Sequence, residues 1–161
     1  MNGASGSVGS AAVQLAARHF GAHVTGVCST ANVELVRSLG AAEVIDYTRE
    51  DFSKRGQLYD VIMDNAGGAS WSRVKRSLKP TGRLLLVIGG LSEAMSSLMN
   101  GSIVFGSPPP VPGELELLAS LAMSGAYRPV IDRRYALADA VEAHRYVDLG
   151  HKKGNVVLTV T

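Results

Sequence analysis

Residues Asn2-Gly3-Ala4-Ser5-Gly6-Ser7-Val8-Gly9 form a glycine-rich loop that runs straight into the apolar stretch Ala11-Ala12-Val13-Gln14-Leu15-Ala16-Ala17. Glycine at 6 and 9 lets a backbone approach a pyrophosphate and lets the following helix lie close to a sheet. The free N–H groups of the first helical turn then face the anion. The loop therefore implies a dinucleotide cradle at a strand-to-helix turn. In a βαβ unit such a loop follows a strand, and only Met1 precedes it here. A sheet built on this loop is expected to lack its first strand.

Downstream, the pattern alternates. A helix is expected from Gly9 to about Phe20, closed by Gly21, then a buried strand over His23–Cys28. Ser29 or Thr30 can cap a helix over Asn32–Leu39, ended by Gly40. Short strands follow at Glu43–Asp46 and Tyr59–Asp64, with a polar connection between them and Asn65-Ala66-Gly67-Gly68 as the terminal loop of the second. A helix over Trp71–Leu78 stops at the turn Lys79-Pro80-Thr81-Gly82, and Arg83–Ile88 is a fifth apolar run. These strands read as unbroken Val/Ile/Leu runs, as in a parallel sheet covered on both faces. Gly89–Pro112 is less regular, with a strand at Ile103–Phe105 and a break at Pro108-Pro109-Pro110. A helix over Gly113–Met123 ends at Gly125. Beyond Tyr127 an extended piece (Arg128–Ile131), a helix (Leu137–Leu149) and a last strand (Asn155–Val160) follow. The fold class expected is α/β.

Composition narrows the function. The chain has 161 residues, 46% of them apolar, enough for one ordinary core. Its formal charge of +2 and its one dense basic cluster, His151-Lys152-Lys153, do not suggest nucleic acid. That cluster reads as a solvated loop. A single cysteine, Cys28, excludes an internal disulfide and reads as a small buried apolar residue, not a redox centre. No Cys/His group has zinc-site spacing. The longest apolar run, Leu84–Leu91, is well short of the ~18 residues a membrane span needs. With no charged-then-apolar leader, a cytoplasmic chain without membrane partners is expected.

Six blocks in order resemble one family, the medium-chain dehydrogenase/reductases, in their zinc-free quinone oxidoreductase-like branch. They are the loop Asn2–Gly9 with Ala11–Ala16 behind it; Ser38–Tyr47; Tyr59–Asp64 with Gly67-Gly68; Leu78–Arg83; Arg128–Asp132; and Ala143–Tyr146 with Gly150–Val157. The resemblance covers nearly the whole chain. It implies a Rossmann-type doubly wound domain over residues 1–126, and a return segment of a barrel-like catalytic domain over 127–161. It also implies that the absent first strand is the central one of the sheet.

Carried onto matching positions, the resemblance has Ala4, Ser5, Gly6, Ser7, Val8 and Gly9 holding the pyrophosphate. Ser29, Thr30 and Asn32 would face the adenosine ribose and Tyr47 the adenine side. Asn65 follows the fourth strand, and Gly89 and Gly90 follow the fifth, beside the nicotinamide. Catalytic residues are not identified, because the catalytic domain is absent. The family's terminal lysine is replaced by Asn155. A fragment of a protein about twice as long is the expected context. An alternative has Asn155–Val160 slipping into the central gap of the sheet.

The cofactor choice has its own argument. An NAD-selective site places an acid about 20 residues beyond the glycine loop, where it repels a 2′-phosphate; this chain has Cys28-Ser29-Thr30 there. NADPH is therefore expected over NAD, with no zinc. The implied reaction is hydride transfer between NADPH and a quinone or enal/enone-type small molecule. Alternatives are a nucleotide-binding fragment without turnover, or an alcohol dehydrogenase-type member of the same superfamily. A short-chain dehydrogenase fails a sharper test. It needs Tyr-x-x-x-Lys, but Tyr47, Tyr59, Tyr127, Tyr135 and Tyr146 are followed four residues on by Asp51, Met63, Ile131, Asp139 and Gly150. A homodimer through Leu91–Pro112 is the expected assembly.

Overall fold

The computed structural model describes residues 1–106 and 111–160. Strands β1 (Thr25–Cys28) and β2 (Glu43–Asp46) pair in parallel, and β3 (Tyr59–Asp64), β4 (Leu78–Leu86) and β5 (Ile103–Phe105) form a second parallel set in that order. Asn2 stands between the sets, bridged in parallel to Val27 on one side and to Asp64 on the other. The Val27 N–H donates to Met1 O at 2.9 Å, the Asn2 N–H to Met63 O at 2.8 Å and the Asn65 N–H to Asn2 O at 3.1 Å. The order across the sheet is thus β2, β1, Asn2, β3, β4, β5. The doubly wound parallel sheet is present, and the first strand is reduced to its final rung rather than missing outright.

The glycine loop crosses the top of this rung into α1 (Ser7–Gln14), which continues as a π-helical turn over Leu15–His19. Gly9 is dictated by packing: a Cβ there would sit 2.0 Å from Gly3 O and 2.8 Å from Ala4 Cα. A 3-10 turn at Thr30–Asn32 leads into α2 (Val33–Ser38), and α3 (Trp71–Val74) follows the β3 loop. The expected turn at Lys79–Gly82 survives as an irregularity inside β4, between the pairs Tyr59↔Leu78 and Val61↔Arg83. Elements in this region depart from expectation. Helix α4 (Leu91–Met99) occupies part of the segment read as irregular, and β4 ends at Leu86, leaving Val87 and Ile88 exposed. The expected break at Pro108-Pro109-Pro110 lies outside the described residues.

The final third holds α5 (Glu114–Met123), β6 (Ile131–Ala136), α6 (Ala140–Asp148) and β7 (Asn155–Thr159). β7 pairs in parallel with β6, Ile131↔Asn155 through Ala136↔Thr159, which rules out its insertion into the central gap. Several contacts sew this region to α1 and the glycine loop before it. Buried Gln14 receives the Arg128 N–H at Oε1 (3.1 Å) and donates through Nε2 to Arg128 O (3.0 Å), while the Gly154 N–H donates to Ser5 O at 2.8 Å.

Alternate residues of each strand point to opposite faces of a sheet. One face carries Val27, Ile45, Ile62, Leu84 and Leu86 packed with Phe52 and Val74. The other carries Cys28 and Val24 packed with Val13, Val36 and Leu39 from α1 and α2. On this second face the sheet is open beside Met1. A cavity of about 740 Å³ there is lined by Leu15, Phe20, Leu58, Val61, Met63 and Leu85, among others.

Candidate functional site

At the opposite end of the same rung, where the strands finish, lies a cleft of about 510 Å³, a size ordinary for a small-molecule site. The glycine loop supplies one wall through Gly3, Ser5 and Gly6. The end of β1 supplies Cys28, Ser29 and Asn32, the end of β2 supplies Tyr47, and the β3 loop supplies Asn65 and Ala66. The remaining wall is the loop Gly150-His151-Lys152-Lys153, brought in by the seam between Gly154 and Ser5.

Gly6 differs from Gly9 in what surrounds it. A Cβ at Gly6 would meet nothing closer than Gly3 O at 3.6 Å. Its lack of a side chain leaves space on the cleft side, whereas Gly9 is consumed by helix packing. Helix α1 begins directly behind the loop, and the N–H groups of its first turn have no carbonyl of the helix to bond. An anion in the cleft is the natural acceptor for them. Lys152 adds a full charge at this point. Its Nζ lies 2.5 Å from Ser7 Oγ and 2.8 Å from Gly154 O, and the Ser7 hydroxyl donates to Gly154 O at 2.6 Å. No carboxylate is among the residues that line the cleft.

Two of the residues that line the cleft carry a buried acceptor without a partner among the described residues: Asn32 Oδ1 and Asn65 Oδ1. Asn32 is held by its amide, which donates to Ser5 Oγ and Ser29 Oγ, both at 3.2 Å, and Asn65 by donation to Asn2 O at 3.2 Å. A buried acceptor left unpaired costs about 1–3 kcal/mol. A ligand hydroxyl or amide donor at these positions would remove that cost. The β3 loop is itself fixed by Asp64, whose Oδ1 accepts from Asn2 Nδ2 (2.7 Å) and from the N–H groups of Ala66 and Gly67 (both 3.1 Å). Its Oδ2 accepts from the Ala69 N–H at 2.9 Å.

Cys28 forms part of the floor. Burial pushes its thiol up to about 11, with the nearby Asp46 carboxylate adding to the shift, so at neutral pH it is a protonated, inert surface. Asp46 itself is held below the usual carboxylate range, chiefly by the Thr30 hydroxyl at 2.5 Å and further by Thr48 and Arg49.

The expected site residues therefore divide. Ser5, Gly6, Ser29, Asn32, Tyr47 and Asn65 meet around the cleft, and Ser7 anchors its basic wall. Ala4 is fully buried in the core, and Gly9 lies against the loop backbone. Val8 is half exposed on α1, and Thr30 is engaged with Asp46. Gly89 and Gly90 follow β4 and are not among the cleft's lining residues. Sequence reasoning passed over Asp64 and the wall His151–Lys153. The signals were present: an acid closing an apolar strand before Asn-Ala-Gly-Gly, and two lysines bracketed by Gly150 and Gly154 just before the last strand.

Comparison with known proteins bears on the family and the fold. A protein-family model described as zinc-binding dehydrogenase matches residues 39–158. The mouse mitochondrial NAD(P)H oxidoreductase RTN4IP1 is 36% identical over 98% of this chain and 46% of its own length. The structure of the quinone oxidoreductase from Coxiella burnetii superposes with a TM-score of 0.86 at 27% identity, over 99% of this chain and 51% of that one. The Escherichia coli quinone oxidoreductase complexed with NADPH shares the fold, with a TM-score of 0.76 at 24% identity over 99% of this chain and 56% of that one. The chain spans about half the length of the relatives it matches.

Proposed function

Because this chain belongs to the zinc-binding dehydrogenase family, we propose that it forms the NADP(H)-binding part of an oxidoreductase that moves hydride between NADPH and a quinone or enal/enone-type substrate. The observation that carries the reading is the cleft, which joins a glycine loop at a helix start to a two-lysine wall and two unpartnered buried acceptors. The nicotinamide, when bound, supplies the hydride. This chain's contribution is to hold and orient it. The first-turn N–H groups of α1 and the Lys152 ammonium would take the pyrophosphate. Ser29 and Asn32 would take the adenosine ribose, with Tyr47 beside the adenine. Lys153 would supply the cation that Ser29 and Thr30 lack, which favours a 2′-phosphate and hence NADPH over NADH.

Among the described residues there is no group of three or more His, Cys, Asp or Glu side chains that could hold a metal ion. With half a relative's length, the isolated chain is expected to bind nucleotide without turnover, the substrate being held by residues of a longer protein. No described helix is long and apolar enough to cross a membrane. We place the protein in the cytoplasm because its one buried thiol suits a reducing compartment. A homodimer remains the proposed assembly; of its expected surface, Leu91–Pro112, residues 107–110 lie outside the described ones. Val104 on the edge strand β5 and Met95, Leu98 and Met99 on α4 are exposed there.

Calorimetric titration with NADPH and NADH tests the reading, on the native chain and on a Lys152→Ala/Lys153→Ala variant. The native chain should prefer NADPH by about tenfold or more, and the variant should lose most of that preference. Equal or tighter NADH binding would remove NADPH from the account.

A further inference from the structure

The loop that carries the two lysines is anchored at three consecutive backbone N–H groups. Gly154 donates to Ser5 O and Asn155 to Val130 O, each at 2.8 Å, and both acceptors are backbone carbonyls that almost any sequence would offer. The Lys153 N–H goes instead to a side chain, Asp132 Oδ2, at 3.0 Å. The same oxygen accepts the Tyr146 hydroxyl, from α6, at 2.5 Å. The ring of Tyr146 is covered by the Arg133 guanidinium, 3.9 Å from its centroid. The backbone of Lys153 is thus set by two residues, Asp132 and Tyr146, that do not line the cleft.

Asp132 reaches Lys153 through an irregularity in β6. Ile131 pairs with Asn155 and Arg133 with Val156, so two steps along β6 match one along β7 and Asp132 is the extra residue. A bulge of this kind takes one residue out of the ladder and re-aims its side chain. Burial alone would raise the half-buried carboxylate. The Tyr146 hydroxyl, the Lys153 N–H and the Arg133 and Lys153 cations outweigh that and hold it below the usual carboxylate range. Asp132 is therefore an anion at neutral pH, and its hydrogen bonds to Tyr146 and Lys153 are charge-assisted, roughly twice as strong as neutral ones.

We propose that Asp132, braced by Tyr146, is a positioning residue for Lys153 and through it a determinant of which nicotinamide nucleotide the cleft prefers. This role rests on the NADPH reading above. The exposed Lys153 side chain is a flexible stem with no rigidity of its own, so its aim at a 2′-phosphate depends on where the backbone releases it. A rival role for the same acid is a plain counter-charge that draws the Lys153 ammonium away from a ligand. The two roles differ in sign. Removing a counter-charge would strengthen the more anionic NADPH relative to NADH, whereas removing the acceptor that positions Lys153 lowers that preference.

The test compares the native chain with Asp132→Ala, Asp132→Asn and Tyr146→Phe. Its first arm is residue-resolved amide exchange without nucleotide. Asp132→Ala should speed exchange at Lys153 by about fivefold or more, Tyr146→Phe by less, and Asp132→Asn, which keeps an acceptor oxygen without the charge, least. Native exchange at Val27 and Leu84 marks an intact sheet. Tyr146→Phe, which keeps the ring beneath Arg133, carries the test should Asp132→Ala lose its fold. The second arm is calorimetric titration with both nucleotides. Asp132→Ala should cut the preference for NADPH over NADH by about threefold or more, and Asp132→Asn should retain most of it. Unchanged Lys153 exchange in a folded Asp132→Ala chain would overturn the proposal. So would equal weakening of both nucleotides, which would make Asp132 merely structural, or a raised preference for NADPH, which would make it a counter-charge. A native chain that does not prefer NADPH would sink the nucleotide reading, and the discrimination role with it, while the exchange arm alone would still decide whether Asp132 holds Lys153.

Discussion

The two faces of the sheet share the same strands but are finished differently. On the α3 face, Ile45, Ile62, Val74 and Leu84 are essentially sealed, and the gap beside Met1 leaves a void of only about 10 Å³. On the α1 face the same gap opens into about 740 Å³. Helix α1 is therefore held by Gly9 on the loop at its start and by Gln14 on Arg128 at its end, while Leu15 and Phe20 beyond it overhang a space they do not fill. The contrast teaches that the cleft at the strand ends can be assembled while the sheet beneath it is not filled. The polar seams at the strand ends order the cleft, and a continuous core under α1 is not required.

The comparison breaks most visibly by truncating equivalent leucines. Leu84→Ala on the sealed face should cost about 2–5 kcal/mol, measured by urea unfolding. Leu15→Ala over the gap should cost less than about 1 kcal/mol. Similar losses would mean that the α1 face is as well packed as the other. A smaller effect belongs to the seam. Gln14→Leu strands the Arg128 N–H and C=O and should cost about 1–3 kcal/mol, with faster exchange at Gly154 and weaker NADPH binding. If exchange at Gly154 were unchanged, Gln14 would not be what docks the basic wall.

A further effect is one of pH. The Met1 ammonium is lowered from its usual 8.0 to about 6, so between these values the unfolded chain binds more protons than the folded one. Stability should rise with pH from about 6 to 8 and be lost as pH falls through the folded value. Acetylating Met1 removes the charge but keeps an N–H for Thr25 O, so it should flatten that window. A slope that persists after acetylation would place the titrating group elsewhere.

Much of this was legible in the sequence because it rests on local chemistry. The glycine loop, the strand runs within His23–Cys28 and at Tyr59–Asp64, and the helix ends at Gly21 and Gly40 each follow from a few adjacent residues. The parts that were not legible depend on partners distant in the chain. Asp64 reads as the end of a strand until the loop Asn65–Ala69 folds back onto its carboxylate. His151–Lys153 reads as a solvated loop until Gly154 meets Ser5. Helix α4 was missed because serines and a flanking glycine pair mask the spacing of Leu91, Met95 and Leu98, and the structure leaves Met95 and Leu98 exposed. β6 was hidden by Arg133 and Arg134, charges tolerated because that small sheet is not buried.

The most direct measurement of the central claim is an amide-shift map of the native chain titrated with NADPH. The account predicts shifts concentrated at Ser7–Gly9, Ser29, Asn32 and Lys152–Gly154, with Thr25, Val61 and Met63 unmoved. Shifts centred on the gap between β1 and β3, with the glycine loop and the lysine wall silent, would contradict it.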